Sequence, residues 1–221
     1  MEPVFEAVME SDRALLKLLT TAPQLSHARA SADHLVEAIP HWIYKGDTPL
    51  HLASASLRLS SAKLLLEHGA DVHAQNRRGA SALHYACDPR PNSGGVWNPE
   101  AQAALIALLI QHGANINLAD KGNATALHRA VRSRGVAAVR CLLEHGARVD
   151  MRLGKLGSLP LHLAVQSTGA GGTADTGEEQ LEIIGLLIQH GAEPSAPDSR
   201  GRTALDWAPN DRIASALKVL R

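Results

Sequence analysis

The phrase Gly46-Asp47-Thr48-Pro49-Leu50-His51-Leu52-Ala53 returns four times in this 221-residue chain, at 79–86 (GASALHYA), 123–130 (NATALHRA), 157–164 (GSLPLHLA) and 201–208 (GRTALDWA). Repetition constrains a fold more tightly than composition. Each copy is a small unit that cannot bury its apolar face alone, so the units must stack. The central leucines, Leu50, Leu83, Leu127, Leu161 and Leu205, are spaced by 33, 44, 34 and 44 residues. A second anchor, Gly-Ala, recurs at Gly69, Gly113, Gly146 and Gly191. Each of these glycines precedes the next leucine by 14, 14, 15 and 14 residues, whereas each leucine precedes its own glycine by 19, 30, 19 and 30. The extra length of alternate repeats therefore lies between a first and a second helix. Short repeats end in LLEHGA and long ones in LLIQHGA, the signature of a duplicated two-repeat block of about 77 residues.

Residue choices inside a repeat follow from backbone physics. Gly46, Gly79, Gly157 and Gly201 occupy a turn that favours positive φ, and Asn123 replaces one of them with the next most tolerant residue. Thr48, Ser81, Thr125 and Thr203 are positioned to cap a first helix, with Pro or Ala just inside it. Leu159 takes that place in the fourth repeat and cannot accept the capping bond, which predicts a weaker start. Leucine and alanine at helical spacing make the face that packs on neighbours. The Gly-Ala glycines stand where a left-handed residue ends a second helix.

Thr-Pro-Leu-His-x-Ala at this period resembles the ankyrin repeat, a β-turn followed by two antiparallel helices. The resemblance is close from residue 46 to the end and loose before it. It implies an all-α solenoid of L-shaped repeats: a degenerate N-terminal cap at 1–45, repeats at 46–78, 79–122, 123–156 and 157–200, and a C-terminal cap at 201–221. The long repeats, 79–122 and 157–200, carry the inter-helix insertions. In the cap, Val4, Phe5 and Val8 and then Leu15, Leu16, Leu18 and Leu19 predict two helices broken near Ser11-Asp12, and 33–39 is expected to add a helical turn.

Function classes narrow by exclusion. Lys and Arg number 22 against 22 acidic residues, so no net charge draws the chain to nucleic acid. No run of eighteen apolar residues exists, and residues 1–20 read as charged helix rather than a signal peptide. Cys87 and Cys141, both placed in helices, are expected to be reduced core residues, so a cytoplasmic location is expected. No G-x-S-x-G, GxGxxG, GxxxxGK[ST] or HExxH pattern occurs, and Gly154-Lys155-Leu156-Gly157-Ser158 has its glycines where the repeat needs turns. No enzyme activity, catalytic residue, metal or cofactor is predicted.

Twelve histidines invite a metal site, but the repeat accounts for eight: His51, His84, His128 and His162 in the phrase, and His68, His112, His145 and His190 before Gly-Ala. The resemblance implies a structural role for the first four, bonding backbone between repeats. It also implies binding of a protein partner through the concave groove of turn tips and first helices. Matched residue by residue, that face holds Tyr44, Asp47, Arg77, Arg78, Tyr85, Asp88, Lys121, Arg129, Arg132, Lys155, Gln166, Arg200, Arg202 and Trp207. The tips are basic (Lys45, Arg77, Arg78, Lys121, Arg152, Lys155, Arg200, Arg202), offset by Asp47, Asp120 and Asp198, so an acidic protein surface or peptide suits them. A monomer is expected.

The insertions offer a rival binding edge. In the first, Asp88-Pro89 ends a helix, Asn98-Pro99-Glu100 starts the next, and Trp97 is either a local plug or an exposed anchor. The second, 167–180, reads as a Gly/Thr-rich loop followed by Asp175, Glu178 and Glu179, acids that favour a helix N-terminus. Nucleic-acid or enzyme-accessory binding through the basic tips is a third, weaker reading.

Overall fold

The computed structural model describes residues 3–36, 41–88, 98–166 and 177–219. The chain divides into two compact units, Met1–Asn115 and Ile116–Arg221.

The first unit holds three helix pairs: α1 (Pro3–Glu10) with α2 (Asp12–Thr21), α3 (Pro49–Ala55) with α4 (Leu59–Glu67), and α5 (Ala82–Ala86) with α6 (Pro99–Gln111). First helices pack on first helices, α1 on α3 and α3 on α5, while α2, α4 and α6 form the parallel row of second helices. The second unit repeats the scheme with α7 (Ala126–Arg132), α8 (Val136–Glu144), α9 (Pro160–Val165) and α10 (Gly177–Gln189), and α11 (Asp211–Val219) closes it against α10. Each unit's core is the shared apolar face of these rows, including Phe5, Leu50, Leu65, Leu83 and Ile106 in one and Leu127, Leu142, Ile184 and Leu187 in the other.

Helix ends explain why the two anchors recur. Gly69, Gly113, Gly146 and Gly191 have φ between 83° and 92°, which only glycine adopts cheaply. The alanine after each glycine donates to a leucine carbonyl five residues back: Ala70 to Leu65, Ala114 to Leu109, Ala147 to Leu142 and Ala192 to Leu187, at 2.9–3.0 Å. This is the Schellman closure of a helix, and all four leucines are fully buried. The histidine before each glycine adds a second closure. Nδ1 of His68, His112, His145 and His190 lies 2.7–2.9 Å from the carbonyl four residues back. A carbonyl only accepts, so Nδ1 carries the proton.

The N-terminal cap forms its two helices, with Ser11 Oγ accepting from the Ala14 N–H at 3.2 Å between them. Beyond α2 the helical turn expected over 33–39 does not form at 33–36, and 37–39 lie outside the described residues. Residues His34–Val36 (β1) instead pair antiparallel with His41–Ile43 (β2), Leu35 opposite Trp42. β-Branched and aromatic residues such as Val36, Trp42 and Ile43 suit such a pair.

The insertions are only partly loop. α6 and α10 are 13 residues each, against 9 in α4 and α8, so four inserted residues extend the second helix at its N-terminus. Residues 177–180, expected in a loop, belong to α10, with Glu178 and Glu179 in its first turn as the dipole favours. Asn98 caps α6 as predicted, Oδ1 accepting from Ala101 at 2.8 Å. The longer helices bring Gln102 and Gln180 back over the preceding helix, where their amides donate to the carbonyls of Ala86 and Ala164, both at 2.9 Å.

Two further expectations change. Cys87 follows α5 as its cap, while Cys141 lies within α8; both are buried and neither is in a disulfide. In the last repeat the first helix shrinks to a 3-10 turn at Leu205–Trp207, because Pro209 favours extended backbone at Ala208, which has ψ 124°.

Candidate protein-binding surface

The four phrase histidines are tied to the start of their own helices, and His51 and His162 also bridge to the next repeat. The backbone N–H groups of Thr48, Ser81, Thr125 and Leu159 donate to Nδ1 of His51, His84, His128 and His162, at 3.1–3.2 Å. An N–H only donates, so Nδ1 is the bare nitrogen and Nε2 carries the proton. Nε2 of His51 donates to the Ala80 carbonyl and that of His162 to the Arg202 carbonyl, each at 3.0 Å. For His128 the carbonyls of Ser158 and Met151 lie close enough to favour its charged form, yet neither makes an aligned hydrogen bond to Nε2. Burial dominates there and pushes the His128 pKa down to about 4. Burial lowers His162 as well, against the Arg202 carbonyl bond that raises it.

Leu159 explains how a repeat starts without a capping hydroxyl. Its N–H still reaches His162 Nδ1, and its side chain is buried in place of the missing cap. In the fifth repeat Asp206 substitutes for histidine, accepting from the Thr203 N–H at 2.7 Å and the Thr203 hydroxyl at 2.8 Å.

The acids that offset the basic tips are engaged by donors of their own turn, the following helix or the next repeat. Asp47, 1 % exposed, accepts from the Tyr44 N–H at 2.7 Å, the Asn76 amide at 2.7 Å and the Tyr85 hydroxyl at 2.9 Å. Asp120 pairs with Arg129 at 2.8 Å and accepts from the N–H groups of Gly122 and Ala124. Asp198, 4 % exposed, accepts from the N–H groups of Arg200 and Arg202, the Arg202 guanidinium and the Trp207 indole. Burial alone would raise the Asp198 carboxyl; those donors outweigh it and hold it well below the usual carboxylate range.

The predicted face therefore divides. Arg77, Arg78, Lys121, Arg132, Lys155 and Arg200 are exposed. Tyr44 is half-buried beneath Arg78, whose guanidinium lies 4.0 Å from the ring centroid. Arg202 covers Trp207 in the same way at 3.9 Å. Asp88 and Gln166 are half-buried, and the Gln166 carbonyl accepts from Arg134. Tyr85, expected on the binding face, is instead interior at 4 % exposure, and Arg129, with a side chain 13 % exposed, is held by Asp120. Trp97 lies outside the described residues, as does Asp175. No group of three or more His, Cys, Asp or Glu is placed to hold a metal among the described residues.

The model of the family described as ankyrin repeats (3 copies) matches residues 4–92 and 98–198. The chain is an ankyrin-repeat protein. Similar relatives include the B-cell lymphoma 3 protein homolog of Mus musculus, 31 % identical over 78 % of this chain and 35 % of the relative. Ankyrin repeat and SOCS box protein 16 of Mus musculus is 32 % identical over 73 % of this chain and 25 % of its own length. Rabankyrin-5 of Mus musculus is 31 % identical over 95 % of this chain and 14 % of its own. The chain thus spans about a third or less of these relatives. Ankyrin repeats generally mediate protein–protein interaction, and in this ankyrin protein no described helix is long and apolar enough to cross a membrane.

One feature of the surface escaped sequence reasoning. Leu35 and Trp42 are 48 % and 49 % exposed on the β1–β2 hairpin, and the alternation of Trp42 and Tyr44 with buried Ile43 was the available signal.

Proposed function

We propose that this ankyrin protein binds a partner protein through the exposed basic tips of its repeats, and that the partner presents an acidic surface or peptide. The observation that carries the reading is the fate of the tip acids. Asp47 and Asp198 are buried, Asp120 is half-buried and paired with Arg129, and all three are bonded inside the protein, so the exposed cations Arg77, Arg78, Lys121, Arg132, Lys155 and Arg200 outnumber the anions that face solvent beside them. Zero net charge thus conceals a charged surface. Rigid turns, and the end of α7 for Arg132, hold these cations with little ordering cost on binding, and the arrangement steers an acidic partner toward them.

Tyr85 and Arg129 have no part in this reading, because both are committed inside the repeats. The phrase histidines and buried acids supply the rigidity. No catalytic role is proposed, and the working location is the cytoplasm, with the chain acting as a monomeric scaffold or adaptor.

The test is partner capture by the full chain and by a Lys121→Glu/Arg132→Glu/Lys155→Glu/Arg200→Glu variant. Partners should be lost by the variant and weaken steeply with salt for the wild type, since exposed charges are screened over about 8 Å at physiological ionic strength. A full set of partners retained by the variant would sink the reading. Partners that are nucleic acids rather than proteins would replace it.

A further inference from the structure

The N-terminal unit carries a second, apolar surface. Leu35 and Trp42 are directly opposed across the hairpin, so both side chains stand on one face. Ile43 points the other way and is 1 % exposed, packed into the unit, while Leu35 and Trp42 remain about half exposed. Tyr44, two residues beyond Trp42, continues the outer face, with Arg78 stacked 4.0 Å from its ring centroid and Arg77 at 5.8 Å.

An isolated two-stranded hairpin is marginal in water. This one is tied at its base. Asp33 accepts from the Lys45 N–H at 2.7 Å and pairs with the Arg77 guanidinium. The Arg77 N–H donates to the Lys45 carbonyl at 3.2 Å, and the Arg29 guanidinium joins the carbonyls of Gly46 and Gln75 at 3.2 and 2.9 Å. The exposed aromatic is therefore preorganised rather than left loose. Its rim is cationic, with Lys45, Arg77 and Arg78 exposed, while Asp33 is engaged by Arg77 and Asp47 is buried.

We propose that the Leu35–Trp42–Tyr44 face, rimmed by Lys45, Arg77 and Arg78, docks an acidic segment of a partner protein bearing one large apolar side chain. The apolar side chain covers Leu35 and Trp42, and the flanking carboxylates meet the rim. Complementary charge selects this occupant. A second copy docked by two-fold symmetry would set the same cationic rim against itself. The inference goes beyond binding by the basic tips and stands without the tips of the second unit.

The experiment is a random-peptide display selection on the full chain, counter-selected on a Leu35→Ser/Trp42→Ser variant. Recovered peptides are then measured by fluorescence polarisation. Expected peptides are rich in Asp and Glu around a single Leu, Phe or Trp, and their affinity falls at least tenfold for the double-serine variant. A similar fall is expected for Arg78→Glu, with no change for Lys121→Glu/Arg200→Glu. Both target residues are exposed, so melting temperatures should match the wild type and keep the comparison clean. Peptides without acidic bias, or binding indifferent to the double-serine change, overturn the proposal. So does a concentration-dependent dimer that the change abolishes, or binding to phosphatidylserine vesicles with no peptide recovered. Failure of the tip variants in partner capture, with peptide binding intact, separates this site from the general reading.

Discussion

The Tyr85 hydroxyl lies 2.9 Å from Asp47 Oδ2, joining a residue of one repeat's first helix to the turn of the repeat before it, and both groups are buried. Asn76 completes the triangle, its amide donating to Asp47 Oδ1 at 2.7 Å and to the Tyr85 oxygen at 2.9 Å. The Tyr85 ring also meets His51 edge-on, 5.2 Å between centroids. A residue placed by pattern on the binding face is thus a strut between repeats.

Tyr85→Phe removes one donor from a buried carboxylate while keeping the ring. Hydrogen bonds to charged groups are worth about 1.5–3 kcal/mol, so a loss of about 2 kcal/mol in urea unfolding is expected. A cycle with Asp47→Asn should show coupling, because the two groups share one network. Additive losses would mean that Tyr85 acts only through packing.

Stability should fall on mild acidification, with His128 as the main contributor. Its folded pKa of about 4 lies below the ordinary 6.5, so the unfolded chain binds the proton more readily. The histidine contribution is complete above about pH 6.5 and is lost as pH falls toward 4, at up to about 1.4 kcal/mol per pH unit. The geometry gives the reason: Nδ1 already receives the Thr125 N–H, and protonation would set two donors against each other. His162 acts in the same direction. Asp120 and Asp198, held below the usual carboxylate range, contribute only at lower pH, where their protonation removes stability. A His128→Gln variant should show a flatter profile between pH 6.5 and 4 by thermal melts, whatever its absolute stability.

Leu159→Thr restores the capping residue of the other repeats and should nonetheless fail to stabilise. A good N-cap contributes about 1 kcal/mol, whereas the Leu159 side chain is 7 % exposed and its burial is worth about 1.5–3 kcal/mol. Urea unfolding is expected to show no gain or a modest loss. A clear gain would mean that the leucine packs poorly.

Gly46→Ala tests the turn itself. Gly46 has φ 88°, and an added Cβ would lie 3.3 Å from the Arg77 nitrogen and 3.4 Å from the Asn76 Cα, both backbone. Strain in the left-handed region costs about 1–2 kcal/mol before any clash is counted, so the melting temperature should drop visibly. Gly201→Ala, with φ 76° and open space around the new Cβ, should be milder.

Much of this protein was legible in one dimension because its signals are local. Thr48 or Thr125 before an apolar helical phrase, Gly69 or Gly146 after one, and histidine at a fixed offset act within a single turn of chain. Their geometry repeats wherever the residues do. The hairpin was missed because His34–Val36 carries no strong local preference and becomes strand only when His41–Ile43 lies beside it. The length of α6 and α10 was misjudged because helix extension into an insertion is settled by the contacts of Gln102 and Gln180.

The sequence by itself determined the repeat, its period and the ends of its second helices, since backbone stereochemistry and capping bonds span only a few residues. Tertiary structure alone decided which charges reach solvent. Asp47 meets Tyr85 from 38 residues away, and Asp198 gathers the donors of a whole turn, so these two acids go inside while the tip cations stay out. Burial depends on what stacks above and below, and no single repeat carries that information.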